Sequence, residues 1–178
     1  MTVNGYADNV FVNCPFDEEY KEIFDALIFT IFDCGFVPRC ALEADDSGDI
    51  RIEKLFSLIV QSKYGFHDIS RTELCTPNKL PRFNMPLELS MFLGVKKSGD
   101  AAQKRKNCVI FDSKPYRYQK FISDIAGQDI RNHHKKPMET VIGIRNWLST
   151  SSRRKSIPGG TEIWKRYKKL KKICLSSV

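Results

Sequence analysis

The chain has 178 residues, of which 42% are hydrophobic and 28% are charged, and its formal net charge is +8. This length and composition indicate one globular domain and exclude collagen-like, low-complexity and wholly disordered proteins. No apolar run approaches the roughly 20 residues of a membrane helix, and the first residues lack the basic and apolar regions of a signal peptide, so we expect a cytoplasmic protein with no transmembrane segment.

Short apolar stretches alternate with segments in which apolar residues recur at helical spacing. In chain order, the predicted elements are a strand at 10–13, a helix at 17–34, a strand at 36–41, a helix at 50–61, a strand at 64–69, a helix at 84–96, a strand at 106–111, a helix at 116–126, a strand at 127–130 and a helix at 136–148. Pro38 places the second strand at a sheet edge. Asn84 is expected to cap the third helix, with Pro86 in its first turn.

This alternation predicts a single α/β domain of the flavodoxin-like, three-layer type over residues 1–150. Because helices of roughly 10–15 residues separate the strands, we expect a mostly parallel sheet of about five strands with helices on both faces. A linker at 151–160, rich in Ser, Pro and Gly, is predicted to lead to a basic amphipathic helix at 161–178.

The positive charge is concentrated in this last segment. Residues 153–178 contain nine bases and one acid, whereas residues 1–152 contain twenty of each. The C-terminal helix has apolar residues along one side and bases on the others. Two interpretations stay open: the helix docks on the domain with its lysines in water, or residues 153–172 bind nucleic acid or an anionic surface.

Several kinds of site lack their usual sequence signal. The six cysteines form no C-x-x-C pair, which argues against a structural zinc, and no metalloprotease, α/β-hydrolase, P-loop or dinucleotide-binding motif is present. We therefore predict no metal. The side chain of His67 is expected to point away from the loops, because neighbouring strand residues face opposite sides. His133 and His134 are expected to form an exposed loop pair.

Polar residues follow the predicted strands, and ligands of open parallel α/β sheets bind beyond the carboxyl ends of the strands. The candidate binding residues at these positions are Asn13, Pro15, Phe16, Asp68, Ser70, Arg71 and Asn84. Glu88 is the one charged residue in the first three turns of an otherwise largely apolar helix. An acid among apolar neighbours is costly unless it faces water, a partner or a site. The alternatives are a solvated acid at Glu88 and a loop cap at Asp68.

Three segments resemble Toll/interleukin-1 receptor (TIR)-like and nucleoside 2-deoxyribosyltransferase-like proteins. They are residues 10–17 (VFVNCPFD), 64–70 (YGFHDIS) and 84–94 (NMPLELSMFLG). The similarity covers about residues 9–112. The tryptophan–cysteine pair that often precedes the glutamate of TIR domains is replaced here by Phe83-Asn84. The choice between the two kinds of protein is therefore open.

The resemblance implies cleavage of the ribosyl–base bond of a nucleotide, with NAD as the leading substrate, no cofactor, and Glu88 as the catalytic carboxylate that stabilises the developing positive charge. It further implies that Asp68 or Asn84 holds the ribose hydroxyls. Other implied roles are base stacking by Phe16 or Phe83 and phosphate binding by Arg39 or Arg71.

In such proteins this activity often serves bacterial antiviral defence, in a homo-oligomer or beside a sensor partner. The alternatives are a non-catalytic signalling or nucleotide-sensing module, and a nucleoside 2-deoxyribosyltransferase.

Overall fold

The computed structural model describes residues 5–43, 50–72, 82–128 and 130–176. The strands are β1 (Asn9–Asn13), β2 (Val37–Cys40), β3 (Tyr64–Asp68), β4 (Asn107–Asp112) and β5 (Ile130–Asn132). The α-helices are α1 (Lys21–Asp33), α2 (Arg51–Val60), α3 (Asn84–Ser98), α4 (Pro137–Ser152) and α5 (Gly160–Ser176). Short 3-10 turns lie at Glu18–Tyr20, Ala41–Glu43, Gln103–Arg105, Arg117–Lys120 and Ser123–Ile125.

The five strands form one sheet in the order β2-β1-β3-β4-β5, and every neighbouring pair is parallel. The predicted α/β, flavodoxin-like fold class is therefore confirmed, and β2 lies at an edge as Pro38 indicated. The chain crosses from β1 to β2 on one side and then to β3 on the other. A crevice is expected where the order reverses, beyond the ends of β1 and β3.

Helices cover both faces of the sheet. Helices α1, α4 and α5 contact one another on one face, and α2 contacts α3 on the other. The alternation of strand side chains supplies both layers, because Val10 and Val12 join the core cluster of the first face while Phe11 joins that of the second. These two cores hold the helices on both faces of the sheet. Because all five strands are parallel, their carboxyl ends lie together at one end of the sheet.

The C-terminal helix docks on the domain. In α5, Ile163 is fully buried and Tyr167 is nearly so, and both belong to the core cluster shared with α1 and α4. Ion pairs from Arg166 to Asp33 and from Lys171 to Glu22 join it to α1. Helix α4 extends to Ser152 and α5 begins at Gly160, so the connection between them is shorter than the predicted linker.

Three local predictions are wrong. The predicted helix at 116–126 is two short 3-10 turns, and the left-handed backbone of Tyr116 (φ 56°) precedes the first of them. Asn84 does not cap α3; it is the first helical residue, and the preceding Phe83 has no side-chain oxygen to cap the helix. The fifth strand begins at Ile130 rather than ending there.

Parts of two predictions lie outside the described residues. They are the polar loop after the second strand, at 44–49, and positions 73–81 of the loop before α3. Within the described ranges, no helix is long and apolar enough to cross a bilayer.

Candidate functional site

A pocket of about 460 Å³ lies beyond the end of β1, against the first turns of α3. This volume falls within the roughly 300–1,000 Å³ of pockets that bind small molecules. Four of the predicted site residues line it: Pro15, Phe16, Asn84 and Glu88. The remaining lining residues are Cys14, Asp17, Arg51, Arg82 and Met85. We call this cavity the Glu88 pocket.

The helical register of α3 directs Glu88 towards this pocket. Met85, Leu89 and Phe92 are buried against the domain, and Glu88 lies three residues after Met85, on the same side of the helix. Leu87, which faces elsewhere, is exposed. Glu88 therefore lies on the side of α3 that faces the domain. This position does not fit the interpretation of Glu88 as a solvated helix acid.

Glu88 is only 8% exposed, and it has no hydrogen-bond or ion-pair partner among the residues that the structure describes. Its burial raises the pKa of the carboxyl to about 7, and the positive charge of Arg51 opposes this rise. Arg51 is the first residue of α2 and is also a lining residue of the pocket. The carboxyl is thus poised to change charge near neutral pH when a charged group enters.

Asp17, which follows β1, forms part of the wall of the pocket. One of its oxygens accepts a hydrogen bond from Arg71 (Nη2–Oδ1 3.0 Å), and the other accepts one from Arg82 (Nη1–Oδ2 2.9 Å). Arg71 also donates to Glu19 at 2.6 Å. This network ties the loop after β1 to the segments after β3 and before α3.

Asp68 lies at the end of β3, in a fully buried polar cluster behind this wall. Its carboxylate accepts hydrogen bonds from the Tyr20 hydroxyl at 2.6 Å and from the Ser70 backbone N–H at 2.8 Å. His133 Nε2 lies 3.2 Å from Asp68 Oδ2. Burial alone would raise the pKa of Asp68, but the close contact with His133 and the hydrogen bonds from Ser70 and Tyr20 outweigh it and hold the pKa below its ordinary value. Asp68 is therefore an ionised structural anchor as well as a site candidate.

The orientation of His133 follows from its neighbours. The Lys135 backbone N–H donates to His133 Nδ1 at 2.9 Å, which places the proton of the neutral ring on Nε2, facing Asp68. His133 is buried and His134 is exposed, so the prediction of an exposed pair is wrong for His133. The left-handed backbone of His134 and Lys135 turns the chain so that His133 faces inward.

Tyr20, Ser70, Arg71, Ser113 and His133 line a second, smaller cavity of about 90 Å³ at the ends of β3, β4 and β5. We call it the Ser70 cavity. The predicted site residues are thus divided between two cavities, with the Asp17–Arg71 ion pair between them. Glu88 and its neighbours line one, and Ser70 and Arg71 line the other.

Two buried polar residues, Asn13 and His67, lie beneath the residues that line the Glu88 pocket. The Asn13 amide donates to the Met85 carbonyl at 2.8 Å and lies 3.1 Å from His67 Nδ1, so it fixes the end of β1 against the start of α3. The His67 ring packs against Phe92 of α3, on the face of the sheet that α2 and α3 cover. Burial, together with the positive charge of Lys106, lowers the pKa of His67 to about 3. His67 is therefore neutral.

Four predicted residues lie outside both linings, and two of them, Asn13 and Asp68, are buried in the polar contacts described above. The other two are Arg39 and Phe83. Arg39 donates to Glu43 at 2.7 Å on the edge strand, and Phe83 is 68% exposed beside Asn84. Sequence reasoning missed Arg51, Arg82, Tyr20 and His133. A signal existed for Arg82, which lies two residues before Asn84, but the approach of Arg51 to Glu88 depends on how α2 packs against α3.

Among the described residues, no group of three or more His, Cys, Asp or Glu side chains is arranged to hold a metal ion. No protein-family model, curated protein or solved structure matches the chain. The function of the Glu88 pocket is therefore inferred from its geometry and its chemistry.

Proposed function

We propose that the chain is a nucleotide N-glycosidase that cleaves the ribosyl–base bond, with NAD as the leading substrate and Glu88 as the catalytic carboxylate. One observation carries the proposal. A glutamate that is 8% exposed, without a partner among the described residues, lines a pocket of small-molecule size at the carboxyl end of a parallel sheet. Buried acids without partners are expensive, and they are typical of functional sites.

The chemistry matches the environment of Glu88. When the bond from the ribose C1′ to the base nitrogen breaks, its electron pair goes to the nitrogen and positive charge develops on the sugar. A carboxylate next to C1′ stabilises that charge, or bonds to C1′ as an ester that water then hydrolyses. With NAD, the leaving nicotinamide is a cationic pyridinium that becomes neutral, so no proton is needed to expel it.

Because the pKa of Glu88 is raised, a bound substrate influences whether the carboxyl is ionised. With a pKa of about 7, the carboxyl is partly protonated in the free protein near neutral pH. A cationic nicotinamide next to it favours the ionised form that the reaction needs. Cleavage of NAD is therefore expected to rise as the pH increases through about 7. If Glu88 instead protonated a neutral base, as a deoxynucleoside substrate would require, the rate would fall over the same range.

The test is release of free base from NAD and, separately, from deoxynucleosides, followed by chromatography between about pH 5 and about pH 9. Glu88→Gln keeps the shape and removes the charge, so we expect turnover to fall by a factor of about 100 or more, the usual effect of losing a group that stabilises transition-state charge. Glu162→Gln, on the exposed side of α5 at the opposite face of the sheet, is the matched control.

Three outcomes have distinct meanings. Equal turnover in wild type and Glu88→Gln removes Glu88 from the mechanism. Release of base from deoxynucleosides but not from NAD favours deoxyribosyltransferase-type chemistry. Thermal stabilisation by NAD without release of nicotinamide assigns the pocket to a non-catalytic, nucleotide-sensing module.

A further inference from the structure

The Ser70 cavity is a built polar site that the proposed reaction does not use. Its volume of about 90 Å³ exceeds what one water molecule needs and is well below the roughly 300 Å³ of the smallest typical ligand pockets. It therefore has room for a compact group and not for a whole nucleotide. It lies where the ends of β3, β4 and β5 meet the start of α4.

The walls of the cavity present hydrogen-bond donors. The Ser70 residue is 92% buried, since 8% of it is exposed, and its hydroxyl has no partner among the described residues. Ser113 is similarly buried, and its hydroxyl makes one long contact of 3.4 Å to Asp112. Ser70 Oγ is not one of the fully buried atoms without a partner, so it reaches the space of the cavity, where it can donate to a ligand or to water.

The start of α4 adds a second feature at the same place. Pro137, which lines the cavity, is the first residue of this 16-residue helix, and the preceding Lys136 gives no side-chain cap. Pro137 has no backbone N–H, and the N–H groups of Glu139 and Thr140 donate to the Lys136 carbonyl at 3.1 and 3.3 Å, which leaves the Met138 N–H as the donor of this first turn. The positive end of the helix dipole also favours an anion.

The charges that line the cavity are balanced in number, and Lys135 is the cation that is left without an acidic partner among the described residues. Arg71 and Lys135 line it as cations, and Glu19 and Glu22 line it as acids. Each acid already has a cationic partner, because Glu19 pairs with Arg71 and Glu22 pairs with Lys171. Lys135 has no ion pair with a carboxylate of the described residues. The charge of Asp68, beneath the cavity, is satisfied by Tyr20, Ser70 and His133.

We propose that the Ser70 cavity binds a small tetrahedral oxyanion, a phosphate group, through the Ser70 and Ser113 hydroxyls, Arg71, Lys135 and the start of α4. Arg71 also donates a hydrogen bond to Asp17, which lines the Glu88 pocket. An anion that draws Arg71 towards Ser70 weakens its hold on Asp17. Occupancy of the cavity thus bears directly on the wall of the neighbouring pocket.

Titration calorimetry of the full chain with inorganic phosphate, in a phosphate-free buffer at constant ionic strength, tests this site. We expect saturable binding at one site. Removing donors to a charged ligand costs about a factor of 10 or more, so Arg71→Gln and the double variant Ser70→Ala/Ser113→Ala are expected to weaken binding by at least that amount. Arg39→Gln, a change to an arginine outside the cavity, is the matched control and is expected to bind as wild type.

Lys135→Gln, at the exposed rim, keeps the test valid if the buried variants fail to fold, and a several-fold weaker affinity is expected for it. Glu88→Gln is expected to bind phosphate as wild type does, which separates this site from the proposed reaction. Competition by AMP but not by adenosine identifies the phosphate of a nucleotide as the source, and no competition identifies free phosphate. No binding, or equal binding by wild type, Arg71→Gln and Lys135→Gln, overturns the proposal.

Discussion

Glu88 lies one turn inside α3, on the side where Met85 and Leu89 pack against the sheet. A neutral side chain at this position would have no charge to desolvate. An ionised carboxylate must give up most of its hydration, and it gains no partner among the described residues in return. The position is therefore a cost to stability, which is the usual sign of a residue kept for its chemistry.

This cost has a definite dependence on pH. The folded-state pKa of Glu88, about 7, lies above its ordinary value of 4.5. Between these two values the folded protein binds more protons than the unfolded chain, so the free energy of unfolding falls as the pH rises and stays lower above pH 7. Glu88→Gln removes this loss. We expect the variant to be more stable than wild type by up to about 3 kcal/mol near pH 8 and by about 1 kcal/mol or less near pH 5.

Urea unfolding of the two proteins at each pH measures the difference. Glu162→Gln, at an exposed position, should show little change at either pH. A stability difference between wild type and Glu88→Gln that is the same at both pH values would mean that Glu88 titrates normally and is not desolvated.

Single residues differ in how far their sequence context predicted them. Glu88 stood out because charge is rare in an apolar helical stretch, and that pattern depends only on local spacing. His133 did not stand out, because its burial depends on the left-handed turn at His134 and Lys135 and on contact with Asp68, which is 65 residues earlier in the chain. No local pattern records such a contact.

At the level of elements, two glycines within helices provide a matched pair. A Cβ atom at Gly143 of α4 would lie 2.6 Å from Phe111 Cζ, inside the buried core, whereas a Cβ at Gly94 of α3 would meet nothing within 4 Å. Alanine is favoured over glycine in a helix by about 1 kcal/mol. We expect Gly94→Ala to stabilise the protein by about that amount, and Gly143→Ala to destabilise it by about 1–3 kcal/mol through overpacking.

Comparison of the urea unfolding midpoints of Gly94→Ala and Gly143→Ala tests this prediction. Equal midpoints would mean that α4 can move away from β4 without cost, contrary to the close packing of Gly143 on Phe111. Far-UV circular dichroism of each variant checks that helix content is retained.

The elements themselves followed from the sequence where periodicity was long and failed where it was short. Helices α1 to α4 lie close to their predicted ranges because each repeats an apolar side over several turns. The three-residue β5 has too few residues to show alternation, and the apolar residues of segment 117–125 repeat at helical spacing over only two turns, at Tyr118, Phe121, Ile122 and Ile125. Tertiary packing determines both.

For the whole molecule, the distribution of charge suggested a neutral body with a basic appendage, but packing joins the two. Residues 153–178 carry the whole excess of +8. The acidic first half of the chain receives part of it, because Arg166 pairs with Asp33, Lys171 with Glu22, and Arg154 with Asp8. Ile163 and Tyr167 complete the core on that face. The tail is therefore a structural part of the domain as well as a basic surface.

The two tryptophans of the chain test whether domain and tail unfold together. Trp147 lies in α4 and Trp164 in α5, so Trp164→Phe and Trp147→Phe each leave one fluorescent reporter. Because both helices share one core cluster, we expect the fluorescence midpoint in urea to coincide with the circular dichroism midpoint within each variant. Comparison within a variant removes the effect of the substitution on stability. If the Trp164 signal changes at lower urea than the dichroism, α5 is an independently detachable helix and its core contacts contribute little to the fold.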